Sequence, residues 1–133
     1  MAITLIKHQS QMWVAQLSGP IDDLLKRLDS SHSGDFWTLT STQDEVSLVS
    51  PIESHEHFAK VEGPWTLFQV AGVLDFGLTG ILNSLTQPMA QAGISIFAIS
   101  TYNTDYILIQ SDAADQAAKV WSDAGFPFAP AQF

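Results

Sequence analysis

Hydrophobic and polar positions fall into two similar rounds along the chain. In the first, residues 12–17 read as a strand that Ser18, Gly19 and Pro20 stop. Asp22 or Asp23 then caps a helix whose Leu24, Leu25 and Leu28 share one face. Residues 30–34 are loop by composition. Residues 36–40 and 46–49 read as two strands joined by a polar turn, a hairpin. Residues 51–63 are polar and read as a connection, with a short helix at 54–59 as an option.

The second round carries stronger signals. Residues 65–70 form a strand and residues 72–77 a turn. Residues 78–92 form a helix, with Leu78, Ile81, Leu82, Leu85 and Met89 on one stripe and Gly93 to end it. Pro88 lies inside that run and is expected to kink or divide it, because it lacks an N–H. Residues 94–99 and 105–109 read as strands. A helix then starts at Asp112 or Ala113, runs through Trp121, and ends at Gly125.

The two rounds overlay. At an offset of 60, residues 39–49 lie over residues 99–109 with apolar positions in agreement, which places Glu45 over Asp105. At an offset of 53, Gly19 to Asp23 lies over Gly72 to Phe76. The period exceeds that of most solenoid repeats. Two copies of a β-α-β-β unit account for it better, and the crossover in each favours ferredoxin-like α+β topology. The expected fold is therefore α+β: two ferredoxin-like, βαββαβ-derived units with antiparallel sheets and helices on one face. Residues 1–60 form a divergent first unit and residues 61–133 the second.

Composition narrows the function. The chain has 133 residues, 46% of them hydrophobic and 11% aromatic, enough for a packed core. Five Lys+Arg stand against 14 Asp+Glu, a net charge of -9. So few cations disfavour nucleic-acid binding and docking on anionic membranes. There is no cysteine, which removes disulfides, thiolate catalysis and Cys-based metal sites. The N-terminal residues show no signal-peptide architecture, and no run of about 18 apolar residues marks a membrane span, so the expected location is the cytoplasm.

The charges are also unevenly placed. From Val61 to Ala118 there is no Lys or Arg, while Glu62, Asp75, Asp105, Asp112 and Asp115 fall in that stretch. A site built there holds an anion by backbone N–H groups and a cation by carboxylates. The turn from Leu74 to Thr79 opens the long helix, where free N–H groups and the helix dipole favour a carboxylate. Gly77 and Gly80 let a ligand approach the backbone. The plainer reading makes Asp75 an N-cap. Asp105 stands beside a run of hydroxyl and amide groups, Ser100 to Thr104, and suits an ammonium. The plainer reading there is a turn in which Asn103, Thr104 and Asp105 satisfy local backbone groups.

Other chemistry is sparse. His55, Glu56 and His57, with Glu53, supply two imidazoles and carboxylates but not the four ligands zinc wants; a solvated loop explains them better. His8 and His32 read as surface residues. No nucleophile elbow, Ser-x-x-Lys, P-loop or dinucleotide fingerprint occurs, so no catalytic constellation and no cofactor are implied. Trp13, Trp37, Trp65 and Trp121 read as packing residues, some at an oligomer interface.

Two blocks, residues 72–82 and 92–108, carry a resemblance. They are similar to the ACT-domain superfamily, in particular to small bacterial proteins with tandem ACT-like units, a branch shared with the CASTOR arginine sensors. The resemblance covers residues 63–125 well and residues 12–50 more loosely. It implies a non-catalytic regulatory or sensory protein that binds an amino acid or similar metabolite at an ACT–ACT interface. It implies ligand contacts at Val73, Leu74, Asp75, Phe76, Gly77 and Thr79 in the turn. On the facing hairpin it implies Ser100, Thr101, Tyr102, Thr104 and Asp105. It also implies a homodimer or higher homo-oligomer. The alternative is a protein-interaction module that uses its acidic surface and binds no small ligand.

Overall fold

The computed structural model of the chain describes residues 3–31, 35–73, 80–131 and 133. The described elements run β1 (Leu5–Leu17), α1 (Asp22–Ser31), β2 (Thr38–Ser41), β3 (Val46–Ser50) and β4 (Phe58–Val70). Then come α2 (Ile81–Gln91), β5 (Phe97–Ser100), β6 (Asp105–Gln110), α3 (Ala114–Asp123) and β7 (Phe128–Ala129). The architecture is α+β, with antiparallel sheets against helices, as expected. The chain packs as two units: Gln11–Pro64, and Met1–Ser10 with Trp65–Phe133. The repeat puts its boundary at residues 60 and 61; by packing, the first ten residues go with the second unit. The long strands β1 and β4 each lend one half to either unit.

In the insert, residues 11–64, the strand order is β2-β3-β1-β4. Leu24 and Leu28, one helical turn apart on α1, are buried against Leu48 and Ile52, with Leu17, Leu39 and Phe58 around them. Asp22 and Asp23 stand in the first turn of α1, where the helix dipole favours them. Gly63 leaves no room for a side chain against β1: a Cβ there would stand 2.9 Å from the Met12 carbonyl oxygen and closer still to the Trp13 ring.

In the discontinuous unit the order is β7-β1-β4-β6-β5, with β7 parallel to β1 at Leu5↔Phe128 and the β4–β6–β5 pairs antiparallel. Leu5, Phe68, Val70, Ile107 and Ile109 face Leu85 and Met89 of α2 and Ala114, Ala117 and Trp121 of α3. The helical residues recur at three and four places, the spacing of one helix face. Trp121 meets Phe68 edge-on at 4.9 Å and donates its Nε1–H to the Leu85 carbonyl at 2.8 Å.

Both helices of this unit end as the glycines require. Gly93 (φ 71) and Gly125 (φ 98) are left-handed. Beyond them Ile94 N–H reaches the Met89 carbonyl at 2.9 Å, and Phe126 N–H the Trp121 carbonyl at 3.0 Å.

Several elements differ from the sequence expectation. α2 begins at Ile81, after Gly80 with φ 77; the expected start at residue 78 lies outside the described residues. Pro88 sits inside α2 without dividing it; its missing N–H falls late in a helix whose buried stripe runs on to Met89. Residues 54–59 are not a helix: a turn at residues 56–57 leads into β4, which begins at Phe58. β1 starts at Leu5, seven residues ahead of the expected strand.

The overlay of the two hairpins also shifts by one residue. Thr42 N–H reaches the Glu45 carbonyl at 2.8 Å, and Thr101 N–H reaches the Thr104 carbonyl at 2.9 Å, the same turn in each. Leu48 pairs with Leu39, and Ile107 pairs with Ala98; Leu48 and Ile107 both face helices. The equivalence is therefore 59 residues, and Glu45 corresponds to Thr104 rather than to Asp105. An offset of 60 would exchange the two faces of every strand it overlays.

Candidate functional site

The candidate site lies where β4 ends, at the β5–β6 hairpin and the start of α2. Ser100 and Asp105 are cross-strand partners at the mouth of the hairpin. Ser100 Oγ–H donates to Asp105 Oδ1 at 2.6 Å, a short charge-assisted bond that fixes the carboxylate. Asp105 is half-buried and lines a narrow cleft with Val70 of β4 and Leu85 of α2. That cleft holds about 150 Å³ of unfilled space, none of it wide enough for a water molecule. Residue 105 thus borders the same apolar cleft as Leu85 of α2.

The turn itself is built by its threonines. Thr101 Oγ–H donates to the Thr104 carbonyl at 3.1 Å. Thr104 is buried and sends its hydroxyl to the Val70 carbonyl at 2.7 Å. That hydroxyl therefore ties the hairpin to the end of β4. Tyr102 projects from the tip, 80% exposed.

On the α2 side, Val73 is 75% exposed. Leu74, Asp75, Phe76, Gly77 and Thr79 lie outside the described residues. α2 is headed by Gly80, which has no side chain to cap the first N–H groups. The expected cap at Asp75 lies outside the described residues, and the N-cap of α2 is Gly80. Gly80 adopts φ > 0 without cost, which suits it to head the helix.

The electrostatics follow from where the cations go. Lys7 pairs with Asp115 at 2.7 Å and Lys119 with Asp123 at 2.8 Å, both on α3. These contacts hold the Asp115 carboxyl below its usual range and raise Lys119, in each case through the hydrogen bond first. Among the described residues no Lys or Arg pairs with Asp105.

The histidines do something else. His57 N–H donates to His55 Nδ1 at 3.0 Å, which uses up that nitrogen as a ligand. Among the described residues no three His, Asp or Glu side chains gather for a metal ion. His8, read from sequence as a surface residue, is buried instead: it stacks on Phe133 at 4.0 Å, and its Nε2 lies 2.8 Å from Gln69 Oε1. Among the described residues no helix is long and apolar enough to cross a membrane.

Comparison with known proteins agrees with this architecture. The chain is 33% identical over 87 residues to the human putative protein CASTOR3P, covering 56% of this chain and 53% of that protein. It is 30% identical over 86 residues to the human cytosolic arginine sensor for mTORC1 subunit 1, of which it spans 26%. The chain thus spans about half or less of the curated relatives it matches. Protein Atu0741 from Agobacterium tumefaciens superposes with a TM-score of 0.81 at 28% identity, over 100% of this chain and 96% of that one. Residues 60–122, which hold the end of β4, the whole of α2 and the β5–β6 hairpin, match the ACT domain model. Through that segment, just under half of the chain, the protein resembles the ACT-domain family.

Proposed function

We propose that this protein is a non-catalytic regulatory module that binds an amino acid or a similar small metabolite. In this reading the N–H groups at the turn from Val73 to Thr79 and at the head of α2 hold the α-carboxylate. Asp105, oriented by Ser100, holds the ammonium or a cationic side chain, with Asp75 as its second carboxylate. Ser100, Thr101 and Tyr102 border the ligand, and Thr104 keeps the hairpin against β4. The observation that carries the reading is the Asp105 carboxylate, held by Ser100 at the hairpin turn in a stretch from Val61 to Ala118 without a cation.

The insert is a divergent ACT-like unit, the protein works in the cytoplasm, and it forms a homodimer. The relative that senses arginine makes arginine the first ligand to try. A thermal-shift screen against the twenty amino acids tests the proposal. A ligand at a hundred times its Kd adds about 2.7 kcal/mol to the folded state. The expected result is one or a few amino acids that raise Tm in the wild type and not in the Asp105→Ala, Asp75→Ala double variant. No shift at millimolar ligand, or an unchanged shift in the double variant, sinks it.

The net charge of -9 favours one second reading, an acidic interaction module with no small ligand. Salt-sensitive capture of one stoichiometric basic partner, with no amino-acid response, would support that reading instead.

A further inference from the structure

β4 has an open edge over its first half. In the insert β1 lies on one side of residues 58–64; β6 joins β4 only from Trp65 onward. Among the described residues no strand pairs with that second edge, and residues 59–64 are all exposed, Val61 at 43%. The hydrogen-bonding direction is set at the start of the strand, where Ser18 N–H donates to the His57 carbonyl at 2.9 Å. Alternation turns the backbone groups of Ala59, Val61 and Gly63 toward β1, and those of Lys60 and Glu62 toward the open edge. Phe58 N–H is already given to the His55 carbonyl at 3.0 Å, and Pro64 has none. The free ladder is therefore confined to Lys60 and Glu62.

We propose that this edge joins a second copy of the chain, antiparallel, about a twofold axis through Val61. The inference rests on the homodimer proposed above and names the surface that makes it. In this register Lys60 stands opposite Glu62 of the partner subunit, and every open N–H and C=O of the two residues finds a mate. The Val61 side chains meet across the axis as a close, non-hydrogen-bonded pair. A twofold axis through Lys60 would set lysine against lysine, and one through Glu62 glutamate against glutamate. Both are unfavourable. A lone lysine on an edge deters an added strand; a lysine with a glutamate two places along favours the symmetric register that sets the two opposite each other. Neither side chain is engaged elsewhere: the ion pairs among the described residues use Lys7, Lys119 and His57.

Sedimentation velocity over a wide concentration series tests this with the full chain. The wild type is expected to dimerise, and more weakly at high salt. Lys60→Glu and Glu62→Lys each place like charges opposite on both sides of the axis and are expected to raise the dimer dissociation constant on the order of tenfold. An equimolar mixture of the two single variants is expected to recover a heterodimer, because every opposed pair is again of opposite sign. The double variant, with the charges exchanged, is expected to dimerise like the wild type.

A wild type that stays monomeric overturns both the surface and the homodimer. A wild-type dimer that neither single variant weakens, or a mixture that does not recover, overturns the surface and leaves the homodimer standing. Ligand plays no part in the readout, so failure here does not touch the amino-acid reading.

Discussion

His8 shows how one side chain takes its properties from the fold. It lies in a polar run from Lys7 to Gln11, yet it is 1% exposed, stacked on Phe133 and set against Gln69. Burial lowers its pKa from 6.5, against the opposing pull of the Gln69 hydrogen bond. The folded chain therefore protonates His8 at lower pH than the unfolded chain does. Between the two values the unfolded state binds more protons, so stability is full above 6.5 and falls as the pH drops toward the folded value. Urea midpoints at pH 7.5 and pH 5.5 check this. The wild type is expected to lose more stability across that interval than His8→Gln, which keeps a polar partner for Gln69 and cannot titrate. Equal losses would remove His8 as the cause, since the other histidines are common to both proteins. Asp105 is the contrasting case: its sequence neighbours, Ser100 above all, are the groups that hold it in the fold.

At the scale of elements, local signals were legible and face assignments were not. The ends of α2 and α3 could be read because Gly93 and Gly125 satisfy their carbonyls within a few residues. The first half of β4 was hidden because an exposed edge strand needs no apolar alternation, and Lys60-Val61-Glu62 reads as a polar connection. The hairpin overlay slipped by one residue because Leu48 and Val49, and likewise Ile107, Leu108 and Ile109, are buried on both faces. A continuous apolar run carries no parity. The long-range bond from Thr104 to the Val70 carbonyl spans 34 residues and has no sequence signature. Thr104→Val keeps the shape and removes the donor. It is expected to cost about 1 to 3 kcal/mol in chemical denaturation, because a buried carbonyl loses its mate. Thr101→Val, which loses only bonds local to the turn, is expected to cost less. The same Thr104 change is expected to weaken amino-acid binding by freeing the hairpin from β4. Equal costs for the two variants would show that the tether is not what holds the hairpin.

At the scale of the molecule, the chain is not two beads on a string. Residues 1–10 belong to the unit built from residues 65–133, where Leu5 enters the core and β1 separates β7 from β4. A fragment of residues 61–133 contains every residue of the candidate site but lacks that strand. It is expected to show no cooperative thermal transition by circular dichroism. The same fragment with residues 3–10 attached through a flexible linker is expected to regain one. A sharp transition in the shorter fragment would show that the first strand is dispensable. The acidic balance acts at this scale too. Lys7 and Lys119 are spent on exposed carboxylates of α3, contacts that contribute little to stability but leave Asp105 without a rival cation.

Elements with local causes are legible in the chain: helix faces, glycine stops, the two hairpins, the α+β class and the cation-free stretch around Asp105. The sequence also carries the resemblance to ACT domains, because that match lies in one contiguous segment. Long-range packing settles which unit the first strand joins, which face each hairpin residue takes, that His8 is buried and that the Thr104 hydroxyl is tied to Val70. Those outcomes depend on pairings between residues far apart in the chain. Many such pairings satisfy the same local pattern, and packing selects one of them.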